Sequence, residues 1–227
     1  MALPNLILTH EMEDALHTFP RMDPHTHVDA AHAGARGRDD ILLDHMAVSD
    51  LYAAGCPTGE RVPDNRDAAE ALPYESGSRL NQRTIGHLAE IVARYPGLRF
   101  QCFLASRHAN QSLCTLAREL PNLSLAGYWW HNFFPGAIRQ VIEERLDMLP
   151  VNRQIGFFSD AYCVEWSYAK KKLVGNMMAE VLAAKIEIGQ YSVVDAVSVA
   201  RSIFYDSSVE LRGMTPRESL TLKGVQT

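Results

Sequence analysis

Three times between residues 80 and 160, a stretch with helical spacing stops at a proline and a short apolar run follows. The stops are Pro96-Gly97, Pro121 and Pro150, and the runs are 98–105, 123–130 and 154–158. Proline has no N–H to give and its ring clashes with the preceding turn, so each helix ends there. Short apolar runs between such stops read as buried strands. Strands that alternate with helices are parallel, because each helix returns the chain to the start of the next strand. The spacing predicts helices over 80–95, 109–120, 136–148, 162–187 and 192–204. It places the chain in the α/β class.

Before these units the chain is less regular. Residues 11–19 read as a short helix and 21–29 as a strand. A helix is expected from Asp39 or Asp40 to Ala54, with Gly55 as its stop. Residues 56–79 carry Pro57, Gly59, Pro63, Pro73 and Gly77 and hold no period, so they form an irregular junction inside one domain spanning 1–227. Within 21–29, His25 and His27 share one face of a strand, because side chains alternate. Asp23 and Asp29 have the same parity. Two imidazoles so placed can close on one divalent metal; the plain alternative is a pair of loop histidines.

Composition narrows the partners. The chain has 227 residues and a net charge of −5, which leaves no basic face for nucleic acid. Its four cysteines form no Cys-x-x-Cys pair, so no zinc ribbon or disulfide framework is expected, and the usage fits a reducing cytoplasm. The apolar Leu6-Ile7-Leu8 is followed at once by Glu11, Glu13 and Asp14, which is no signal peptide. No apolar run reaches membrane-spanning length.

Each apolar run ends in polar or aromatic residues: Ser106-Arg107-His108, Tyr128-Trp129-Trp130-His131-Asn132, and Ser159-Asp160. Ligands bind at the carboxyl ends of strands in parallel α/β sheets and barrels. Arg107, Trp129, His131 and Asp160 are therefore expected to converge with His25 and His27. Each has a structural alternative. Asp160 could be the N-cap of the helix that follows. One of Trp129 and Trp130 belongs to the core, since neighbours point to opposite faces. His131-Asn132 could cap a turn, and Arg107 could pair with a surface acid. His45 could be a half-buried structural histidine. Lys170-Lys171-Lys172 reads as a solvent-facing helical stretch.

These motifs together resemble a known family. Asp23-Pro24-His25-Thr26-His27-Val28-Asp29 is similar to the metal-binding start of the amidohydrolase superfamily. Asp44-His45 in a helix ending Leu-Tyr-Ala-Ala-Gly, Gly127-Tyr128-Trp129-Trp130, and Gly156-Phe157-Phe158-Ser159-Asp160 before Trp166-Ser167-Tyr168 resemble uronate (glucuronate) isomerases. The resemblance covers roughly residues 20–60 and 74–213. It implies a distorted (β/α)8, TIM-barrel-like, metal-dependent hydrolase fold. It implies interconversion of an aldose uronate and its ketose, as between glucuronate and fructuronate. Carried over, His25, His27 and Asp160 are metal ligands, zinc being the expected metal. Asp160 or His45 transfers the proton. Arg107 holds the acid of the substrate, and Trp129, Trp130 and His131 line its site.

The chain also departs from that pattern. A complete barrel takes about 250 residues, and only four strands are legible here, by resemblance the first and the last three. The family's fifth-strand histidine has no counterpart, and Asp160-Ala161-Tyr162 stands where Asp-Ser-Arg is usual. The expectation is a half-barrel with open edges, and open edges invite a homo-oligomer. The chemistry suits the residues: moving a proton between neighbouring carbons needs a base, a group for the developing oxyanion and a cation for the carboxylate. Two alternatives stand beside it: a metal-dependent hydrolase of the same superfamily, and an inactive, shortened protein that only oligomerises.

Overall fold

The computed structural model describes residues 5–23, 26, 28, 31, 33–35, 82–103, 107–128 and 134–214. The expected helix ending at Ala54 and the junction at 56–79 lie outside the described residues, as do His25, His27, His45, Trp129, Trp130 and His131.

Helix α1 (Leu6–Thr18) starts earlier than its apolar spacing suggested. Asn5 is the reason. Its side-chain oxygen accepts from the N–H groups of Ile7 at 3.2 Å and Leu8 at 3.4 Å, satisfying two donors of the first turn. The regular half follows the expected order. Helix α2 (Gln82–Arg94) leads to β1 (Phe100–Phe103), a 3-10 turn at Arg107–Ala109 and α3 (Asn110–Glu119). Then come β2 (Leu123–Ala126), α4 (Pro135–Met148) with proline in its first turn, and β3 (Gln154–Ile155). Helix α5 (Val164–Glu187) is the longest of those described, and α6 (Val193–Arg201) opens on a capping box between Ser192 and Asp195. A π turn (Ser202–Asp206) joins α6 to α7 (Ser207–Leu211).

The three strands pair in parallel in the order β1-β2-β3. Phe100 lies opposite Leu123, Phe103 opposite Ala126, and Leu125 opposite Gln154. Alternation then sorts the two faces. Leu123 and Leu125 pack with Val92, Leu113, Cys114 and Ala117 from α2 and α3. Ser124 and Ala126 take the opposite face, which they share by register with Phe103 and Ile155. There Phe103 meets Phe158 edge-on, ring centroids 4.8 Å apart. Ser124 also lines a polar cavity with Asn122, Asn152 and the end of α7. Arg99, just before β1, closes that end: its Nη1 donates to the carbonyls of Glu210 at 3.1 Å and Leu211 at 2.9 Å. A second core joins α1, α4, α5 and α6 through Met12, Leu16, Ile142, Met178, Leu182, Ala196 and Ala200, with Phe157 and Phe204 packed among them.

The expected strand at 21–29 needs correction. The described part of it, residues 21–23, 26 and 28, carries no strand assignment. The π turn supplies the physical reason. Such a turn redirects main-chain carbonyls. Gly156 N–H donates to Ile203 O at 2.9 Å, and Met22 N–H donates to Phe204 O at 3.0 Å. Two consecutive carbonyls of the π turn therefore accept from Gly156, just after β3, and from Met22 of the N-terminal segment.

Arg21 anchors this junction. Its guanidinium lies 4.3 Å from the centroid of the Phe204 ring, and Nη1 donates to the main-chain oxygen of Lys171. Gly175 makes room, since a Cβ there would sit 2.4 Å from Nη2. Burial lowers the Arg21 pKa to about 10. His17, nearby in the last turn of α1, is pushed below its ordinary value by burial and then by Arg21, Lys171 and Lys172. The unfolded chain thus binds that proton more readily. The contribution of neutral His17 to stability is present above the unfolded pKa and is lost as pH falls through the folded one. An NMR titration of His17 is expected to show a midpoint below about 6.5, the unperturbed value, moving upward in Lys171→Gln. A midpoint above that value would contradict the arrangement.

Candidate active site at the carboxyl ends of the strands

The N-terminal segment is tied to the carboxyl end of β3 by side chains. Asp23 is half-buried, and its Oδ1 accepts from the Ser159 N–H at 2.9 Å. Its Oδ2 accepts from Ser167 Oγ, on α5, at 3.3 Å. Three residues on, Thr26 Oγ1 donates to the Ala161 carbonyl at 3.0 Å. Farther along, Val164 N–H donates to Ala33 O at 2.9 Å, and Ala35 N–H donates to Glu165 Oε2 at 3.0 Å. The described residues Asp23, Thr26, Ala33 and Ala35 are therefore all bonded to the 159–167 stretch.

Asp160 sits in the middle of this contact and is buried. Its φ is +50°, and it is the one non-glycine residue with positive φ among those described. Aspartate tolerates this left-handed region better than most residues, yet the conformation is still strained and such strain gathers at functional sites. Helix α5 starts too late for Asp160 to cap it; the N-cap is Cys163, with no side-chain cap bond. The capping alternative is thereby set aside. The main-chain oxygen of Asp160 accepts from Lys170 Nζ at 3.3 Å. Lys170 is only 3 % exposed, which corrects the solvent-facing reading of Lys170-Lys171-Lys172; Lys172 alone of the three is exposed.

At the ends of β1 and β2 the groups differ. Arg107 is exposed on the 3-10 turn after β1, and its Nη1 donates to Gln140 Oε1 of α4 at 2.5 Å. Two strand spacings, about 10 Å, separate the line of β1 from that of β3. Beneath β2 lies a buried polar network. Arg145 is 1 % exposed; Nε donates to Asn110 Oδ1 at 3.0 Å and Nη1 to the Gly127 carbonyl at 2.7 Å. Asn110 in turn donates to Glu144 Oε2 at 2.7 Å. The Arg145 guanidinium stands 5.2 Å from the Tyr128 ring centroid. Burial pushes the Tyr128 phenol up to about 12, with Arg145 opposing, so it remains a neutral hydroxyl at working pH.

Lys170 and Arg145 are the groups that strand-end reasoning missed. Both leave a periodic signal. On α4, Arg145 occupies the apolar stripe of Ile138, Val141, Ile142 and Leu146. On α5, stepping back by four from Leu182, Met178 and Val174 arrives at Lys170. A charge inside an apolar stripe has to find a buried partner.

The described residues are similar to solved structures of uronate isomerases. The uronate isomerase of Bacillus halodurans shares 25 % identity over 56 % of this chain and 31 % of its own, with a TM-score of 0.51. That of Thermotoga maritima shares 17 % identity over 84 % of this chain and 48 % of its own, TM-score 0.55. The glucuronate isomerase of Caulobacter crescentus shares 18 % over 55 % and 26 %, TM-score 0.50. This chain spans less than half the length of each of them. No family model and no curated protein matches it. The resemblance carried by the sequence motifs is thus also one of structure: helices and a parallel sheet of uronate isomerase-like architecture. No helix among the described residues is long and apolar enough to cross a membrane.

Proposed function

We propose that this chain isomerises a sugar acid, interconverting an aldose uronate such as glucuronate with its ketose. One observation carries the reading. Asp23 and Thr26, sequence neighbours of His25 and His27, are bonded to Ser159 and Ala161, the sequence neighbours of the buried Asp160. Solved uronate isomerases are among the structures similar to this one.

In this reading Asp160 transfers the proton between neighbouring carbons, with His45 as the other candidate. Burial and its fixed backbone suit Asp160 to the task. Two imidazoles and a carboxylate are a donor set that zinc accepts, so His25, His27 and Asp160 would hold a divalent metal. When bound, the metal polarises a substrate oxygen. Both oxygens of Asp23 are engaged with Ser159 and Ser167, and Asp160, buried beside them, is the carboxylate proposed for that role. Among the described residues alone, no group of three or more His, Cys, Asp or Glu gathers into a metal site. Trp129, Trp130 and His131 would line the sugar. Arg107 would take the substrate carboxylate in a charge-assisted fork. Arg107→Ala is then expected to weaken binding of a uronate at least tenfold more than binding of an uncharged sugar, which calorimetry measures. Equal losses would make Arg107 structural.

The assay follows ketose formation from glucuronate and from galacturonate, after chelation and after zinc is restored. Ketose formation that zinc restores supports the reading. No ketose from either sugar, with zinc bound, would overturn it and favour the hydrolytic or inactive alternatives.

Self-association is part of the same proposal, and the sheet edge is its ground. Leu125 and Phe157 are buried in the chain's own cores. The outer edge of β1, however, has no strand partner among the described residues. Such an edge pairs readily with another copy. Sedimentation at micromolar concentration is expected to show a dimer or larger species; a monomer throughout would contradict it.

A further inference from the structure

Lys170 has no role in the reading above. It is 3 % exposed, on the first half of α5. Its ammonium donates to the main-chain oxygen of Asp160 at 3.3 Å and stands 5.4 Å from the centroid of the Trp166 ring. A lysine is seldom fully buried without a bound partner. Here a partner it holds is the peptide oxygen of the described chain's one left-handed non-glycine residue. That residue is flanked by two further restraints: Ser159 N–H is bonded to Asp23, and Ala161 N–H donates to Ser159 Oγ at 3.3 Å. The turn is thus held on one side by the distant Asp23, on the other by a local bond, and from behind by a cation on α5.

We propose that Lys170 is a positioning residue: by binding the Asp160 carbonyl it keeps this residue in the left-handed conformation and so fixes where the Asp160 carboxylate projects. The functional half of this statement rests on Asp160 being the proton-transfer group; the structural half does not. Without the ammonium, the restraint from α5 is lost, and the balance shifts toward the extended region that aspartate prefers. The carboxylate would then swing away from the place where it works. Arginine, longer but still a buried donor, can reach the same oxygen; methionine fills the space and donates nothing.

The test compares wild type with Lys170→Met and Lys170→Arg in two ways. Crystal structures, or NMR couplings at residue 160, report its φ. Kinetics on glucuronate with zinc bound report kcat and KM. In Lys170→Met, φ at 160 is expected to leave the positive region, and kcat to fall at least thirtyfold with KM changed less than threefold. In Lys170→Arg, φ stays positive and most of the rate returns. A Lys170→Met chain that keeps positive φ overturns the proposal, as does an arginine variant no better than the methionine one. If Lys170→Met does not fold, Lys170→Leu replaces it. A chain that folds with neither would make Lys170 a determinant of the whole fold and overturn a role confined to the turn. If wild type makes no ketose, the isomerase reading fails, while the φ measurement still decides what Lys170 holds.

Discussion

Replacing Gly127 by alanine is expected to destabilise the protein by about 3 kcal/mol, summing a left-handed residue at about 1–2 and an overpacked core at about 1–3. Gly127 ends β2 with φ +49°, and a Cβ there would lie 1.6 Å from Cε1 of Phe158. Phe158 cannot step aside cheaply. It is 1 % exposed, and Phe103 packs against its ring. The Gly127 carbonyl is also the acceptor for Arg145, so a shifted backbone would disturb a buried cation. Gly136, in the first turn of α4, is the control: among the described residues, nothing beyond its chain neighbours and its own helix backbone lies within 4 Å of its would-be Cβ. Gly136→Ala should change stability by less than about 1 kcal/mol, and toward greater stability. Urea unfolding of the two variants makes the comparison. Equal midpoints would mean that the packing at the end of β2 is looser than described.

Asp160→Asn is the second large effect expected, this time on rate. Asparagine keeps the size of the side chain and accepts left-handed backbone, so the fold should survive with an unchanged circular dichroism spectrum. It cannot accept the proton. Turnover should fall by about 10²–10⁴, the usual contribution of a positioned acid or base. Its KM for glucuronate should move much less. A variant with near wild-type turnover would shift the proton transfer to His45 or another group.

The regular half of the fold was legible because its signals are local. Pro96, Pro121 and Pro150 end helices by steric necessity, and the apolar runs after them fit nowhere but in a sheet. The bounds of the strands were less legible. Residues 156–158 continue the apolar run of β3, but the Gly156 N–H is taken by the π turn rather than by a strand. A carbonyl redirected by a helix that lies 47 residues downstream, from 156 to 203, has no signature in the run itself. The same cause hid the manner in which 21–23 docks: alternation predicts which faces residues take, not which backbone answers them. Of the candidate site, Asp160 and Arg107 are legible as candidates because they follow strands. Lys170 was passed over because three lysines in a row look solvated; only its place in the stripe with Val174 and Met178 marks it as buried. Asp160's left-handed backbone could not be read at all, since aspartate is common in every turn type.

The central claim is that the residues gathered at the end of β3 move a proton on a sugar acid. Its most direct measurement is proton NMR of glucuronate in D2O with the zinc-loaded protein. The account predicts a growing ketose signal, lost in Asp160→Asn while that variant stays folded. A spectrum of glucuronate that does not change with zinc-loaded wild type, and the same result with galacturonate, would contradict it.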